Sequence, residues 1–230
     1  MNYKAIIFDF NGTLFFDNDK HVLAWGKISK LIRGRGISDE ELHEQFNGTP
    51  NAKNIQYMMN NQATSEELKK YSLLKEEYYR EFCKQDKASF HLVDGAVAFF
   101  DKLKELGIPF TIASASIKEN IDFFVESFNL DKWIDPEMII YDDGSYSNKV
   151  NMFKDAAQKL KHNVKDILVF EDSFSGIANA YKAGIEKIVV ICPQEKESEY
   201  RDLPGVIMTI QDFSDFNLSL IHISEPTRPY

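Results

Sequence analysis

Two short apolar runs that end in carboxylates constrain this chain more than any other feature. Ala5–Phe8 (AIIF) runs straight into Asp9, and residues 167–170 (ILVF) run into Glu171 and Asp172. Four apolar residues in a row, too few for a helix and without polar alternation, suit a strand whose sheet is covered on both faces. Comparable runs stand at 110–113, 138–140, 187–191 and, more weakly, 206–210. Helical patterns separate them: 96–106 closed by Gly107, 117–128 opened by a Ser116/Glu119 capping box, 152–160, and 176–183 closed by Gly184. The alternation predicts an α/β protein, a Rossmann-like and mostly parallel sheet core flanked by helices.

Residues 16–88 break that rhythm. They carry helical patterns at 20–32, 41–46, 53–59 and 68–83, with capping boxes at Ser38/Glu41 and Thr64/Glu67, and no convincing strand. The expected plan is a core domain of 1–15 and 89–216 with an inserted all-helical cap domain of 16–88. The insertion leaves the sheet just beyond Asp9, at the carboxyl ends of the strands, where open sheets hold their ligands. A cap there can exclude water during chemistry. Residues 217–230 lose the pattern and end SEPTRPY, which reads as disorder or sequence carried over from cloning.

Charge and composition narrow the function. Against 36 acidic residues stand 27 Lys and Arg, a net charge of -9, so nucleic acid is not an expected partner. The first apolar run is too short for a signal core or a membrane span, so no membrane is expected and the cytoplasm is the default location. Cys83 and Cys192 stand far apart, without metal-ligand spacing or a disulfide framework, and read as buried apolar residues. No extended apolar stripe demands a partner, which leaves a monomer or weak homodimer.

The chemistry rests on the carboxylates. Asp9, presented at a strand end before Asn-Gly-Thr, can attack phosphorus and form an aspartyl-phosphate. Acidic side chains at two adjacent strand ends repel one another unless a cation neutralises them. Oxygen ligands from Asp9, the Asn11 backbone carbonyl, Asp172 and Glu171, the last direct or through water, suit Mg2+ better than zinc. Ser114 ends the strand FTIAS, and its hydroxyl with the Ala115–Ser116 turn can hold phosphoryl oxygens. Lys149 can neutralise charge on a transferring phosphoryl group, or be an ordinary surface lysine.

DFNGTL at Asp9, the serine of FTIAS, Lys149 and VFEDSFSGIANAYKAG together resemble the haloacid dehalogenase superfamily, in particular its branch similar to β-phosphoglucomutase, over roughly residues 4 to 192. The resemblance implies that Asp9 attacks, that magnesium and Lys149 stabilise charge, and that Gly12, Thr13 and Ser114 to Ser116 bind the phosphoryl group. It also implies an acid/base aspartate two positions after the nucleophile, where this chain has Asn11. General acid/base catalysis is worth about 10²- to 10⁴-fold, so slow turnover, or turnover of substrates with good leaving groups, is expected.

In the cap, His21 and Trp25 stand where such mutases carry a proton-relay histidine and an aromatic wall. Asn51 lies where they place an arginine for a second phosphate. The expected function is a magnesium-dependent phosphatase-like hydrolase of a small phosphorylated metabolite, attenuated by Asn11. The alternatives are a sugar-phosphate mutase and a catalytically weak protein that binds a phosphorylated ligand. A phosphonate-cleaving enzyme with a Schiff-base lysine at Lys20 or Lys53 carries little weight.

Overall fold

A computed structural model of the chain describes residues 3–46, 49–214 and 216, apart from the His43 side chain; the 217–230 tail lies outside them. The chain divides into two compact units, Met1–Phe16 with His91–Tyr230, and Asp17–Phe90.

The first unit holds a six-stranded sheet. Its strands are β1 (Ala5–Phe8), β2 (Phe110–Ile117), β3 (Ile140–Asp142), β4 (Ile167–Glu171), β5 (Ile188–Ile191) and β6 (Val206–Ile210), in the order β3-β2-β1-β4-β5-β6. Every pairing is parallel. The chain therefore winds outward from β1 through β2 and β3, then starts again on the other side at β4. That reversal makes the gap beyond β1 and β4 the switch point of the sheet, where the loops diverge and leave a crevice. Phe8 pairs with Phe170, so the next residue on each strand, Asp9 and Glu171, comes out at the same edge.

All four residues of β1 and all five of β4 are buried, which accounts for runs without polar alternation. Phe8 stacks on Phe170 at 5.0 Å and meets Phe99, Phe100 and Phe110 edge-on. Ala5, Ile7 and Val169 join a second layer with Met152, Phe153 and Ala156 of the Lys149–Lys159 helix. Fully burying one such side chain contributes about 1.5–3 kcal/mol, so the middle of the sheet is a rigid base for what stands at its edge.

Three local expectations need correction. The third strand starts at Ile140, because Pro136 and the Asp135 side chain, which accepts from the Glu137 N–H, fold Pro136–Met138 into a 3-10 turn. The helix expected from 152 begins at Lys149, since the Asn148 side chain caps it by accepting from the Val150 N–H. The Ser116/Glu119 capping box does not form: β2 runs on to Ile117, the next helix is Lys118–Phe128, and its N-cap Ile117 offers no side-chain bond.

The second unit is helical, with Asn18–Arg33, Asp39–Glu41, a wider turn at Leu42–Phe46, Asn51–Met58 and Ser65–Gln85, and no strand among the described residues. The Ser38/Glu41 and Thr64/Glu67 capping boxes both form. Trp25, Ile28, Phe46, Ile55 and Met58 make its core. No described helix of the chain is long and apolar enough to cross a membrane.

Candidate active site

At the tip of β1 the Asp9 backbone N–H donates to the Phe170 carbonyl at 2.9 Å, which ties the loop start to β4. Asp9, Glu171 and Asp172 each present an oxygen within 4.8 Å of the others, and the first two are buried. Glu171 is held on every side. Its Oε2 accepts the N–H groups of Asp172 and Ser173, each at 2.9 Å, and the Ser173 hydroxyl at 3.0 Å. Lys149 Nζ meets Oε1 at 2.6 Å and Asp9 Oδ1 at 2.8 Å, so one ammonium bridges two of the three carboxylates.

Two glycines make room for this packing. A Cβ on Gly176 would lie 1.7 Å from Glu171 Oε1. Gly12 has a φ of +77°, and a Cβ there would lie 2.2 Å from Asp172 Oδ2. The Gly12 and Thr13 N–H groups bond the Phe15 and Phe10 carbonyls at 2.8 and 3.2 Å. The buried Thr13 hydroxyl donates to Asp172 Oδ1 at 3.3 Å.

Burial, then Glu171, push Asp172 above the usual carboxylate range, with Asp9 adding to the effect. Asp9 is raised by burial although Lys149 pulls it down. Burial works against the charge on Lys149, but Asp9 and Glu171 outweigh it and hold the ammonium above its ordinary value. Three carboxylates against one ammonium leave excess negative charge in a poorly solvated place. The residues fit a hard divalent cation, which takes oxygen ligands.

Asn11, Ser114 and Ser116 converge. Ser116 Oγ donates to Asn11 Oδ1 at 2.7 Å, and the buried Ser114 Oγ does so at 3.4 Å while accepting the Ser116 N–H at 3.2 Å. The hydroxyl expected to cap a helix thus holds the side-chain amide two residues after Asp9. Ala115 between them is exposed.

His21, Trp25 and Asn51 belong to the second unit, which contains a polar cluster the sequence reading did not find. Lys75 Nζ donates to His21 Nδ1 at 2.7 Å and to Glu76 Oε1 at 2.9 Å, with the Trp25 ring 5.5 Å away. Asn51 Nδ2 donates to the same Glu76 oxygen at 2.8 Å. His21 stacks on Tyr79, and its Nε2 lies 3.3 Å from Asp17 Oδ2, which also accepts the Tyr79 hydroxyl. The sequence held one signal: Lys75, Tyr79 and Cys83 recur at helical spacing, one buried face of Ser65–Gln85.

Lys20 is buried against Asp19, Asp86 and Ser89. Burial opposes its charge, but the aspartates raise its pKa, the wrong direction for a Schiff-base amine. Lys53 is exposed.

A doubly wound sheet with a crowded acidic centre at its switch point is an arrangement suited to moving phosphoryl or related groups with a cation's help. The chain belongs to the haloacid dehalogenase-like hydrolase family, which matches residues 3–184. A family IA, variant 3 hydrolase from Entamoeba histolytica is 33% identical, covering 94% of this chain and 96% of that one with a TM-score of 0.88. The β-phosphoglucomutase of Clostridium difficile shares the fold at 20% identity, 95% coverage of both chains and a TM-score of 0.73. A haloacid dehalogenase-like hydrolase domain-containing protein of Arabidopsis thaliana is 26% identical over 135 residues. That match takes in 57% of this chain and spans 42% of the curated relative's length.

Proposed function

We propose that the chain is a magnesium-dependent phosphatase-like hydrolase that cleaves a small phosphorylated metabolite through an aspartyl-phosphate on Asp9, at a rate limited by Asn11. The bridge from Lys149 to Asp9 and Glu171 carries this reading, because it aims one Asp9 oxygen at a fixed cation and leaves the buried cluster short of positive charge. Asp9, Asp172, Glu171 and the Asn11 carbonyl would hold Mg2+, which when bound neutralises and polarises phosphoryl oxygens. Ser114 would donate to a phosphoryl oxygen, Lys149 would balance the charge that develops on the group in transfer, and the Gly12–Thr13 turn and Ala115–Ser116 would shape the phosphate pocket.

His21, Trp25 and Asn51, all of the second unit, are proposed as residues that serve the substrate. The mutase reading is the weaker, since Asn51 binds the Glu76 carboxylate, an acid where a sugar bisphosphate's second phosphate asks for a cation. Two free, buried cysteines accord with a cytoplasmic setting.

The test is phosphate release from sugar phosphates, nucleotides and an activated aryl phosphate, with and without Mg2+, for the protein and for Asn11→Asp. Magnesium-dependent release that Asp9→Asn abolishes supports the reading. Absence of release from every compound by both forms overturns it.

A further inference from the structure

Transfer of a phosphoryl group to Asp9 breaks the bond between phosphorus and the leaving oxygen. An alkoxide leaves only if a proton arrives with it, whereas a phenolate, carboxylate or phosphate leaves as the anion. Among the described residues of the first unit, the titratable groups that act on Asp9 are Lys149, Glu171 and Asp172. Lys149 donates to two carboxylates at once, and Glu171 accepts the Lys149 ammonium, two backbone N–H groups and a hydroxyl. Asp172 presents an oxygen within 4.8 Å of one on Asp9 and one on Glu171 and would be taken up as a ligand when the cation binds. At residue 11 the Ser116 hydroxyl, 2.7 Å from Oδ1, holds in place an amide that has no acidic proton. In the second unit both ring nitrogens of His21 face partners of that unit, Lys75 at 2.7 Å and Asp17 at 3.3 Å.

We propose that the site takes phosphoryl donors whose leaving group departs unprotonated (acyl phosphates, phosphoanhydrides, enol or aryl phosphates) and then persists as a long-lived aspartyl-phosphate. This rests on the hydrolase reading above and narrows its substrate class. In the first step an Asp9 oxygen bonds phosphorus and the leaving oxygen takes the electron pair of the broken P–O bond. In the second, a water oxygen attacks phosphorus, the Asp9 carboxylate leaves, and the water proton passes to solvent because residue 11 cannot take it. The first step is thus open to acidic leaving groups, and the second is slow for all of them.

Stopped-flow release of the leaving group from aryl phosphates of graded phenol acidity, with acetyl phosphate and an alkyl phosphate alongside, tests both halves on the unaltered protein with Mg2+. The expected result is a burst of about one equivalent of phenol per enzyme, then a steady rate set by phosphate release. Alkyl phosphates should react about 10²- to 10⁴-fold more slowly than the most acidic aryl ester, a gap that Asn11→Asp narrows. Intact-mass measurement after quenching in acid should show one added phosphoryl group, absent from Asp9→Asn.

Equal rates for alkyl and acidic aryl esters, or phenol and phosphate appearing together without a phosphoenzyme, would overturn the inference while leaving the hydrolase reading standing. So would turnover by Asn11→Asp beside an unaltered protein that shows no burst. Silence of both forms toward every donor removes the hydrolase reading itself.

Discussion

At the tips of β1 and β4 three carboxylates share one ammonium, whereas in the second unit Lys75 is matched by Glu76, and Asp17 by Tyr79 and His21. Both clusters are largely removed from water, where an uncompensated ion costs several kcal/mol. The second unit meets that cost with its own side chains. Glu76 is pushed down to about 2: burial opposes its charge, but Lys75 and His21 outweigh burial. The first unit does not, and Asp9 and Asp172 are both raised. The difference separates a balanced polar cluster from a site with a standing need for a cation.

Replacing an acid by its amide should therefore have opposite effects in the two places. Asp9→Asn removes the nucleophile and should lower turnover on the order of 10⁶-fold, the loss seen when a hydrolase loses its nucleophile. The same change removes a repelling charge, so the magnesium-free protein should melt at a higher temperature while losing its response to Mg2+. A lower melting temperature without magnesium would mean that the cluster is not under strain. Lys149→Met comes next. It strips the bridge from two buried carboxylates, which should cost about 3–5 kcal/mol without magnesium and on the order of 10²- to 10³-fold in rate. Urea titration with and without Mg2+ checks it, since the cation should return much of the lost stability.

Glu76→Gln, the amide swap in the balanced cluster, should destabilise by about 3 kcal/mol, because it leaves the Lys75 ammonium buried without its carboxylate. The signs with pH differ as well. Asp9 and Asp172 are raised on folding, so the native state binds more protons, and magnesium-free stability falls as pH climbs from the ordinary carboxylate range toward neutrality. Glu76 is depressed, so its contribution is complete above about 4.5, the ordinary glutamate value, and is lost as pH falls toward about 2. Against pH, Asp9→Asn should shrink the first limb to what burial and Glu171 impose on Asp172, and Glu76→Gln should lose the second.

The first cluster was legible in the sequence and the second was not, for a physical reason. A strand buried on both faces must be a continuous apolar run, so an acid that ends it stands out, and parallel packing carries Asp9 and Glu171 to one edge. Their adjacency required β1 and β4 to be neighbours, which the α/β class implies and does not spell out. Lys75 and Glu76 lie in SEELKKYSLLKEEYYREF, where a buried ion pair has the same letters as a solvated face. Strand three and Ser116 depart from what their local sequence suggests because propensity and capping rules are local. Whether a strand overruns a cap is decided by its neighbours in the sheet, here β1 and β3 beside β2.

The smallest expected effect separates two hydroxyls that look alike in sequence, each three residues before a glutamate. Thr64 is a true cap: its Oγ1 accepts the Glu67 N–H at 3.2 Å, and Glu67 returns to the Thr64 N–H at 2.9 Å. Thr64→Ala should cost about 1 kcal/mol of stability and leave the rate of phosphoryl transfer alone. Ser116 caps nothing and instead donates to Asn11. Ser116→Ala should cost less, about 0.5 kcal/mol, the low end for one hydrogen bond. Its effect should appear as a several-fold fall in the burst rate with the most acidic aryl phosphate, because the amide beside Asp9 is no longer held. The fall should shrink in an Asn11→Ala background, where no amide remains to be held and only what Ser116 itself gives the phosphate pocket is lost. A Ser116→Ala protein that melts like Thr64→Ala and keeps its full burst rate would show that the hydroxyl serves the helix after all.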